Sequence, residues 1–209
     1  MQQRTLFKQF LAMLSAIVLA AGLSKRMGQQ NKLLLSYKTK TIIETTLENI
    51  LASGIKDIIV VTGHEHTQVE AVVQHLPVRI IFNAQYKKGM TTSIQQGITD
   101  ATGKGYMICL ADMFLVTPHE YSFLHHEFEN AFQQNEKCIC VPKYKEDKGN
   151  PVIFSSLYRE AILKHADMEG CKTIVQSNKE NIHWIEMNSD HILQDMDYYE
   201  DYRKFLSGE

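Results

Sequence analysis

Short apolar runs alternate along this chain with segments whose apolar residues recur at helical spacing. The runs predict strands at 14–20, 57–62, 78–83, 106–111, 138–142, 151–154 and 182–187. Helices are predicted over 41–53, 90–101 and 118–134, with Gly54 ending the first and Thr117 capping the third. Because strands and helices alternate throughout, we expect an α/β fold of three layers, in which helices cover both faces of a mostly parallel sheet.

Size and charge narrow the kind of partner. A chain of 209 residues has the size of one generous domain, and its net charge of −2 favours neither nucleic acid nor an anionic membrane. The four cysteines are too few and too irregularly spaced for a disulfide framework, so we expect buried thiols in a reducing cytoplasm. Composition therefore indicates a cytoplasmic protein with a small-molecule partner.

The beginning of the chain allows two interpretations. Arg4, Lys8 and the apolar run 11–21 imitate a secretory signal peptide, although the run is too short for a membrane-spanning helix. Cleavage near Ala21 would remove the first predicted strand and the glycine loop after it. We therefore expect residues 1–12 to be an extension before one domain at 13–209, with Met13 as an alternative start, while secretion remains the rival interpretation.

Ligands of open parallel sheets bind beyond the carboxyl ends of the strands. The first predicted strand ends in Leu-Ala-Ala-Gly-Leu-Ser-Lys-Arg-Met-Gly at 19–28, followed by Lys32. Small residues allow a ligand to approach the backbone, Arg26 offers a planar fork for phosphate oxygens, and Lys32 offers a mobile charge. The pattern suits a triphosphate, although a structural turn has a similar composition.

Two further strand ends carry candidate chemistry. The block 83–94 reads as a strand, a loop with Gly89 and a helix start containing Met90 and Ser93, whose free N–H groups suit an anion or a base edge. Asp112 follows the buried run 106–110 and could hold Mg2+ between phosphates. A capped helix and a turn aspartate are the structural alternatives for these two motifs.

These motifs together resemble those of the MobA-like nucleotidyltransferases, and especially the molybdenum cofactor cytidylyltransferases, from Ser15 to about Phe205. The resemblance implies a Rossmann-like nucleotidyltransferase fold of the nucleotide-diphospho-sugar transferase type. It also assigns nucleotide binding to residues of the first two motifs: Leu19, Ala20, Ala21, Gly22, Arg26, Lys32, Gly89, Met90 and Ser93. Arg26, Lys32 and Asp112 would be catalytic, and Mg2+ would be held by Asp112 and Asp197, with Asp195 as the second candidate.

Several positions depart from the family pattern. Asn150 stands where a histidine is usual in the acceptor segment, Phe114 replaces a proline, and Tyr198-Tyr199 replaces Thr-Pro. Three residues separate Gly28 from Lys32, as in many guanylyltransferases, whereas the Ala-Ala-Gly form favours the cytidine branch. The resemblance assigns Asn150 and Lys148 to acceptor binding.

The function that the resemblance implies is Mg2+-dependent transfer of CMP from CTP to molybdopterin, with pyrophosphate leaving and handover to a molybdoenzyme or its chaperone. The alternatives are GTP or another NTP as donor, and a sugar phosphate or other phosphorylated acceptor. A nucleotide-binding protein of this fold without turnover is the alternative from another class. No histidine or serine spacing indicates a metal site or a hydrolase triad.

Overall fold

The computed structural model of the protein describes residues 12–24, 30–196 and 202–203. Its strands are β1 (Leu14–Ala20), β2 (Ser36–Tyr37), β3 (Lys40–Thr41), β4 (Asp57–Thr62), β5 (Arg79–Phe82), β6 (Gly105–Leu110), β7 (Ile139–Tyr144), β8 (Asp147–Lys148), β9 (Val152–Ser155) and β10 (Ile182–Glu186). The α-helices are α1 (Ile42–Ala52), α2 (His66–Val73), α3 (Met90–Asp100), α4 (Pro118–Gln134), α5 (Arg159–Leu163) and α6 (Lys172–Gln176).

Most strands join one mostly parallel sheet in the order β10-β7-β9-β6-β1-β4-β5. Strands β5, β4, β1 and β6 run parallel, whereas β9 is antiparallel to both β6 and β7. Strand β10 returns parallel to β7, β8 pairs antiparallel with β7, and β2 and β3 form a separate hairpin. The predicted mostly parallel α/β sheet is confirmed, and within the described residues it contains two antiparallel strands, β8 and β9.

Helices cover both faces of the sheet, as predicted. On one face, Leu47 of α1, Val69 of α2 and Phe128 of α4 belong to a single apolar cluster. On the other face, Ile94 of α3 and Ile162 of α5 belong to a second cluster. Side chains of β1 enter the two clusters alternately, so this strand, buried on both sides, reads as a continuous apolar run from residue 16 to its end.

Two predicted helix starts carry complete capping boxes. Thr41 accepts a hydrogen bond from the Glu44 amide while the Glu44 carboxylate returns to Thr41. Thr117 and Glu120 make the same reciprocal pair at the start of α4. Gly54, with φ of 92°, follows the end of α1 in a conformation that glycine adopts without strain.

The shortest elements were not predicted. Helices α5 and α6 contain five residues each, and β2, β3 and β8 contain two each. Segments of two to five residues are too short to show the apolar periodicity of a helix or a strand, so tertiary packing decides their conformation. Helix α2 was missed as well, although Val69 and Val73 form its buried stripe.

The four cysteines are buried free thiols, which confirms the expectation of small buried side chains. Burial raises the pKa of the Cys171 thiol to about 12, so this thiol stays protonated at neutral pH. None of the helices in the part of the chain that the structure describes has the length and apolar character needed to cross a membrane.

Asp57 anchors the amino-terminal edge of the sheet. Burial raises the pKa of its carboxyl group, but hydrogen bonds from Ser15, Arg79 and Thr102 outweigh burial and leave the pKa below its usual range. The Ser15 hydroxyl donates to one carboxylate oxygen at 2.5 Å, and Arg79 donates to the other at 2.5 Å. These contacts favour the ionised form in the folded protein.

We expect Asp57→Asn to lower the free energy of unfolding by about 1–3 kcal/mol, the usual cost of losing hydrogen bonds to a charged group. Because the folded pKa is depressed, this difference is fully present above the unfolded pKa of about 4. It disappears as the pH falls through the folded pKa. Urea unfolding of both proteins at several pH values measures it, and a difference that grows below pH 4 would contradict this role.

Candidate functional site

A cleft of about 350 Å³ opens at the carboxyl ends of β1 and β6. The residues that form its wall come from the loop after β1, the segment before α3 and the end of β6. They include Leu19, Ala21, Gly22, Leu23, Ser24, Lys32, Tyr86, Lys87, Gly89, Met90, Ser93, Leu110, Asp112 and Asp195. The first two sequence motifs, Asp112 and the acidic segment near the carboxyl terminus therefore meet at one edge of the sheet.

The loop after β1 presents bare backbone to this cleft, which we call the first cavity. Among the described residues, no atom lies within 4 Å of a Cβ atom built on Gly22, so position 22 faces open space there and relieves no clash with them. Gly63 has the opposite role, because a Cβ there would lie 2.6 Å from the Tyr86 Cβ and 2.7 Å from the Ala21 Cβ. Gly63 thus allows Ala21 and Tyr86 to form adjoining parts of the wall.

Lys32 connects two parts of the first cavity. Its ammonium forms an ion pair with Asp112 and donates a hydrogen bond to the Met196 carbonyl at 2.9 Å. The Asp112 side chain is only 6% exposed, so its charge lies in a weakly hydrated environment that strengthens its attraction for cations. The segment that ends at Met196 therefore returns to Asp112.

Asp112 and Asp195 both line the first cavity. Carboxylate oxygens are the ligands that Mg2+ prefers, and this ion commonly uses one or two of them together with water and substrate phosphates. Among the described residues there is no group of three His, Cys, Asp or Glu side chains placed for a metal. The donor set therefore fits an ion shared with a phosphate ligand and does not form an all-protein cage.

The start of α3 forms another side of the first cavity. The buried Asn83 side chain donates to the hydroxyls of Thr92 at 2.9 Å and Ser93 at 3.0 Å, which fixes the first turn. Gly89 precedes this helix and has no side chain to cap it, and Met90 and Ser93 of the first turn line the first cavity. Asn83 acts as a positioning residue for Ser93.

Gly89 brings a second loop onto the same helix start. Its φ is 110°, and a Cβ there would lie 2.6 Å from the Met168 carbonyl oxygen. The Met90 amide donates to that carbonyl at 3.0 Å. The loop containing Met168 can therefore pack on α3 only because position 89 has no side chain.

A second cavity of about 470 Å³ adjoins the first, and Met90 and Leu110 line both. Its floor is apolar, formed by Ile108, Leu110, Val141, Val152 and Phe154 of strands β6, β7 and β9. Polar groups stand at its rim, including Lys148, Asn150, Glu169 and Lys172. Both predicted acceptor residues, Lys148 and Asn150, lie here.

The loop that carries Asn150 is tied to the segment before Met196. The Asn150 amide donates to the Ile192 carbonyl at 3.0 Å, and a Cβ on Gly149 would lie 2.4 Å from the same oxygen. The Ile192 segment also holds Asp195, which lines the first cavity, so it connects the first cavity with the loop that carries Asn150.

The sequence of residues 16–182 matches the family profile described as the MobA-like NTP transferase domain. The chain belongs to this family of nucleotidyltransferases. The MobA-like assignment covers β1 through the start of β10, and so includes Asp112 and the loops that shape both cavities.

Curated relatives of this MobA-like protein differ in the base that their names specify. A "Probable molybdenum cofactor guanylyltransferase" from Methanosarcina mazei is 29% identical over 144 residues, which cover 66% of this chain and 61% of that protein. The "Molybdenum cofactor cytidylyltransferase" of Escherichia coli is 27% identical over 143 residues, covering 68% of this chain and 70% of that protein. The chain thus spans less than two thirds of the first relative's length.

Solved structures show the same fold. A nucleotidyl transferase from Methanothermobacter thermautotroptrophicus superimposes with a TM-score of 0.79 at 23% identity, covering 94% of this chain and 99% of the other. The predicted nucleotidyltransferase-type α/β fold is confirmed.

The structure brings together the predicted residues that it describes. Leu19, Ala21, Gly22, Lys32, Gly89, Met90, Ser93 and Asp112 line the first cavity, as does Asp195, and Ala20 is buried immediately before the loop. Arg26 and Asp197 lie outside the described residues, so their predicted roles stay predictions.

Several wall residues had not been singled out. Tyr86 and Lys87 line the first cavity, and both stand within the second motif, at 83–94. Cys171 and Lys172 line the second cavity, where the sequence matches the family pattern poorly. The motif could have indicated the first pair, whereas only the fold brings the second pair to the site.

Several of the histidines that the structure describes have local partners. His191 lies 3.0 Å from a Glu120 carboxylate oxygen, and the His66 ring packs at a tilt against Phe82 with a centroid distance of 4.4 Å. His125 and His126 stack on one another beside Glu129. These contacts hold α2, α4 and the neighbouring segments, away from both cavities.

Proposed function

We propose that this protein transfers a nucleoside monophosphate from an NTP to a phosphorylated small molecule, with CTP as donor and molybdopterin as acceptor. The observation that carries the proposal is the contact between two cavities. One has a bare backbone loop, a lysine and a buried aspartate, and the other has an apolar floor with cationic residues at its rim. A donor and an acceptor can then lie side by side, meeting near Met90 and Leu110.

The reaction is in-line attack by an acceptor phosphate oxygen on the α-phosphorus, which breaks the bond to the β-phosphate and releases pyrophosphate. A phosphate monoester is already anionic, so no strong general base is required. Catalysis then depends on positioning and on neutralising charge. Lys32, together with Arg26, would stabilise the departing pyrophosphate, while the loop at Gly22 and the start of α3 hold the nucleotide.

Asp112 would hold Mg2+, with Asp195 or Asp197 as its companion. Bound there, the ion would neutralise phosphate charge and orient the α-phosphate. Lys32 pairs with Asp112 in this structure and can turn to the triphosphate when a divalent cation takes over the carboxylate. The lysine therefore neutralises the carboxylate before the nucleotide arrives.

The choice of CTP rests on the first motif. Ala21 lies in the wall of the first cavity, and its methyl group narrows space that glycine would leave open. A smaller pyrimidine suits the narrower wall. The spacing before Lys32 and the named guanylyltransferase relative favour GTP instead, so GTP is the alternative donor.

Ala21→Gly is expected to shift the ratio of kcat/KM for CTP to that for GTP by about tenfold toward GTP, the usual size of a one-carbon effect in a pocket. Steady-state rates with each nucleotide measure the ratio. Ala84→Gly, which removes the methyl of an exposed alanine in the next loop, is the matched control and should leave the ratio unchanged. An unchanged ratio in Ala21→Gly would show that the Ala21 methyl group does not determine the choice of base.

Thermal unfolding with CTP, GTP, ATP and UTP, each with and without Mg2+, tests nucleotide binding first. A ligand at about 100 times its dissociation constant adds about 2.7 kcal/mol of stability. We expect the largest Mg2+-dependent shift with CTP. If GTP or ATP gives the largest shift, the proposed donor is wrong, and if no nucleotide stabilises the protein, the transferase proposal fails.

We propose a cytoplasmic setting, one domain at 13–209, and handover of the product to a molybdoenzyme or its chaperone. A sugar phosphate is the alternative acceptor, because Asn150 replaces the family histidine in the second cavity. A silent nucleotide-binding protein is the other candidate, favoured by the altered residues at 114, 150, 198 and 199. Nucleotide binding without pyrophosphate release across an acceptor panel would support that candidate.

A further inference from the structure

Trp184 lies one strand beyond the second cavity. It stands in β10 in register with Val141 of β7, and paired residues of neighbouring parallel strands point to the same face of the sheet. Val141 forms part of the floor of the second cavity. The apolar floor therefore continues from Val141 to the ring of Trp184, which is the only tryptophan of the chain and is 41% exposed.

A cation stands over this ring. The Lys148 ammonium is 5.1 Å from the ring centroid of Trp184, and Lys148 also lines the second cavity. Next to it, Lys143 is paired in register with Lys148 and is held by Glu186 at 2.9 Å. Lys143 is thus already neutralised, whereas Lys148 rests on an aromatic face. A stacked ligand ring can displace such an exposed ammonium.

The sheet fixes the length of the groove. Strands β6, β9, β7 and β10 are consecutive neighbours, so about 14 Å separates β6 from β10 at the usual spacing between strands. Leu110 of β6 is shared with the first cavity, where the transferred group must be attacked. A ligand that reaches from there toward Trp184 must be elongated, with its phosphate and its ring at opposite ends.

We propose that Trp184 is a binding residue for the acceptor, on whose indole a flat heteroaromatic ring stacks while the acceptor phosphate points to the first cavity. Lys148 moves from the indole to the ligand when the ring stacks. This inference rests on the proposed function for the direction of the phosphate. It selects elongated acceptors that carry a phosphate monoester at one end and a flat ring at the other, and it disfavours pentose phosphates, which are too short to reach the indole.

Because Trp184 is the only tryptophan, its fluorescence reports directly on this contact. We would titrate the full chain with neopterin monophosphate, an elongated phosphate monoester with a flat ring, in the presence of Mg2+ and a nonhydrolysable CTP or GTP analogue. We expect saturable quenching of the tryptophan emission, with sensitised emission from the pterin. Ribose phosphate, which has the phosphate without the ring, should cause neither change.

Substitutions test the contact without fluorescence. Trp184→Leu is expected to weaken binding of neopterin monophosphate, measured by calorimetry, by about tenfold, the size of a typical stacking contribution, whereas Trp184→Phe should lose less. Nucleotide affinity should stay within about twofold, because the first cavity is untouched. Phe82→Leu, at the opposite edge strand β5, is the matched control for loss of an exposed aromatic ring.

The outcomes separate the inference from the proposed function. Quenching by neopterin monophosphate without any nucleotidyl transfer would support the Trp184 contact and count against the proposed function. Unchanged tryptophan emission in protein that binds nucleotide would overturn the inference. A Trp184→Leu variant that changes oligomeric state but retains the affinity for neopterin monophosphate would also overturn it, because Trp184 would then serve a protein contact at the edge strand.

Discussion

Asp112→Asn is expected to lower kcat/KM for the transfer reaction by about 10³-fold, comparable to the loss of a principal charge-stabilising group in an active site. The asparagine keeps the shape of the side chain but removes the charge that would hold Mg2+. The aspartate is nearly buried in the wall of the first cavity, where a charge is poorly screened. Pyrophosphate release at several Mg2+ concentrations measures the effect.

Asp57→Asn is the matched control for Asp112→Asn. Asp57 is also a hydrogen-bonded aspartate of the sheet, but it lies at the opposite edge beside Ser15 and Arg79. The Asp57→Asn protein should be less stable than the wild type, but nucleotide with Mg2+ should still raise its unfolding temperature. An Asp112→Asn protein that retains normal Mg2+-dependent turnover would refute the assigned role.

Lys32→Met is expected to weaken NTP binding by about 10–100-fold, since hydrogen bonds to charged groups contribute about 1.5–3 kcal/mol. The side chain is 18% exposed and contacts Asp112 and the Met196 carbonyl, so its ammonium faces the region where the triphosphate would lie. Nucleoside monophosphates should lose less affinity than triphosphates. Calorimetric titration with both ligands in the presence of Mg2+ measures the difference.

Lys40→Met is the control for Lys32→Met. Lys40 also pairs with a carboxylate, that of Glu48, but the pair is exposed and lies on the surface. Surface pairs of this kind contribute little, so the control should bind nucleotide normally. Equal loss of affinity for monophosphates and triphosphates in Lys32→Met would show that the lysine maintains the fold of the cavity and does not contact the outer phosphates.

The parallel half of the sheet was predictable because β1, β4 and β6 are buried on both faces and read as continuous apolar runs. The direction of β9 was not predictable. Three of its four residues are apolar, a pattern that fits a parallel or an antiparallel strand equally, and only its pairing with β6 and β7 decides the direction. Sequence pattern thus reveals burial more directly than strand direction.

Sequence motifs predicted much of the candidate site, as apolar runs predicted the parallel half of the sheet. Gly22, Lys32 and Asp112 stand in recognisable strings after strands, and the rule that ligands lie at strand ends places them together. Trp184 belongs to no motif, so a lone exposed aromatic residue gave no signal. Its register with Val141, and its contact with Lys148 from a distant part of the chain, exist only in the folded sheet.

The acidic segment near the carboxyl terminus was also visible as a motif, whereas its position in the fold was not. Its return toward Asp112 depends on the Lys32 bond to Met196 and on the Ile192 bond to Asn150, which a sequence cannot display. Asp195 lines the first cavity, while Asp197 lies outside the described residues. Substituting each with asparagine separately would identify the companion of Asp112.

The central claim is transfer of a nucleotide to a phosphorylated acceptor, and product analysis tests it most directly. The protein would be incubated with Mg2+, molybdopterin and either CTP or GTP, followed by measurement of released pyrophosphate and mass spectrometry of the acceptor. We predict equal amounts of pyrophosphate and of acceptor heavier by one nucleoside monophosphate, formed faster with CTP. Nucleotide binding without pyrophosphate or a heavier acceptor would contradict the account.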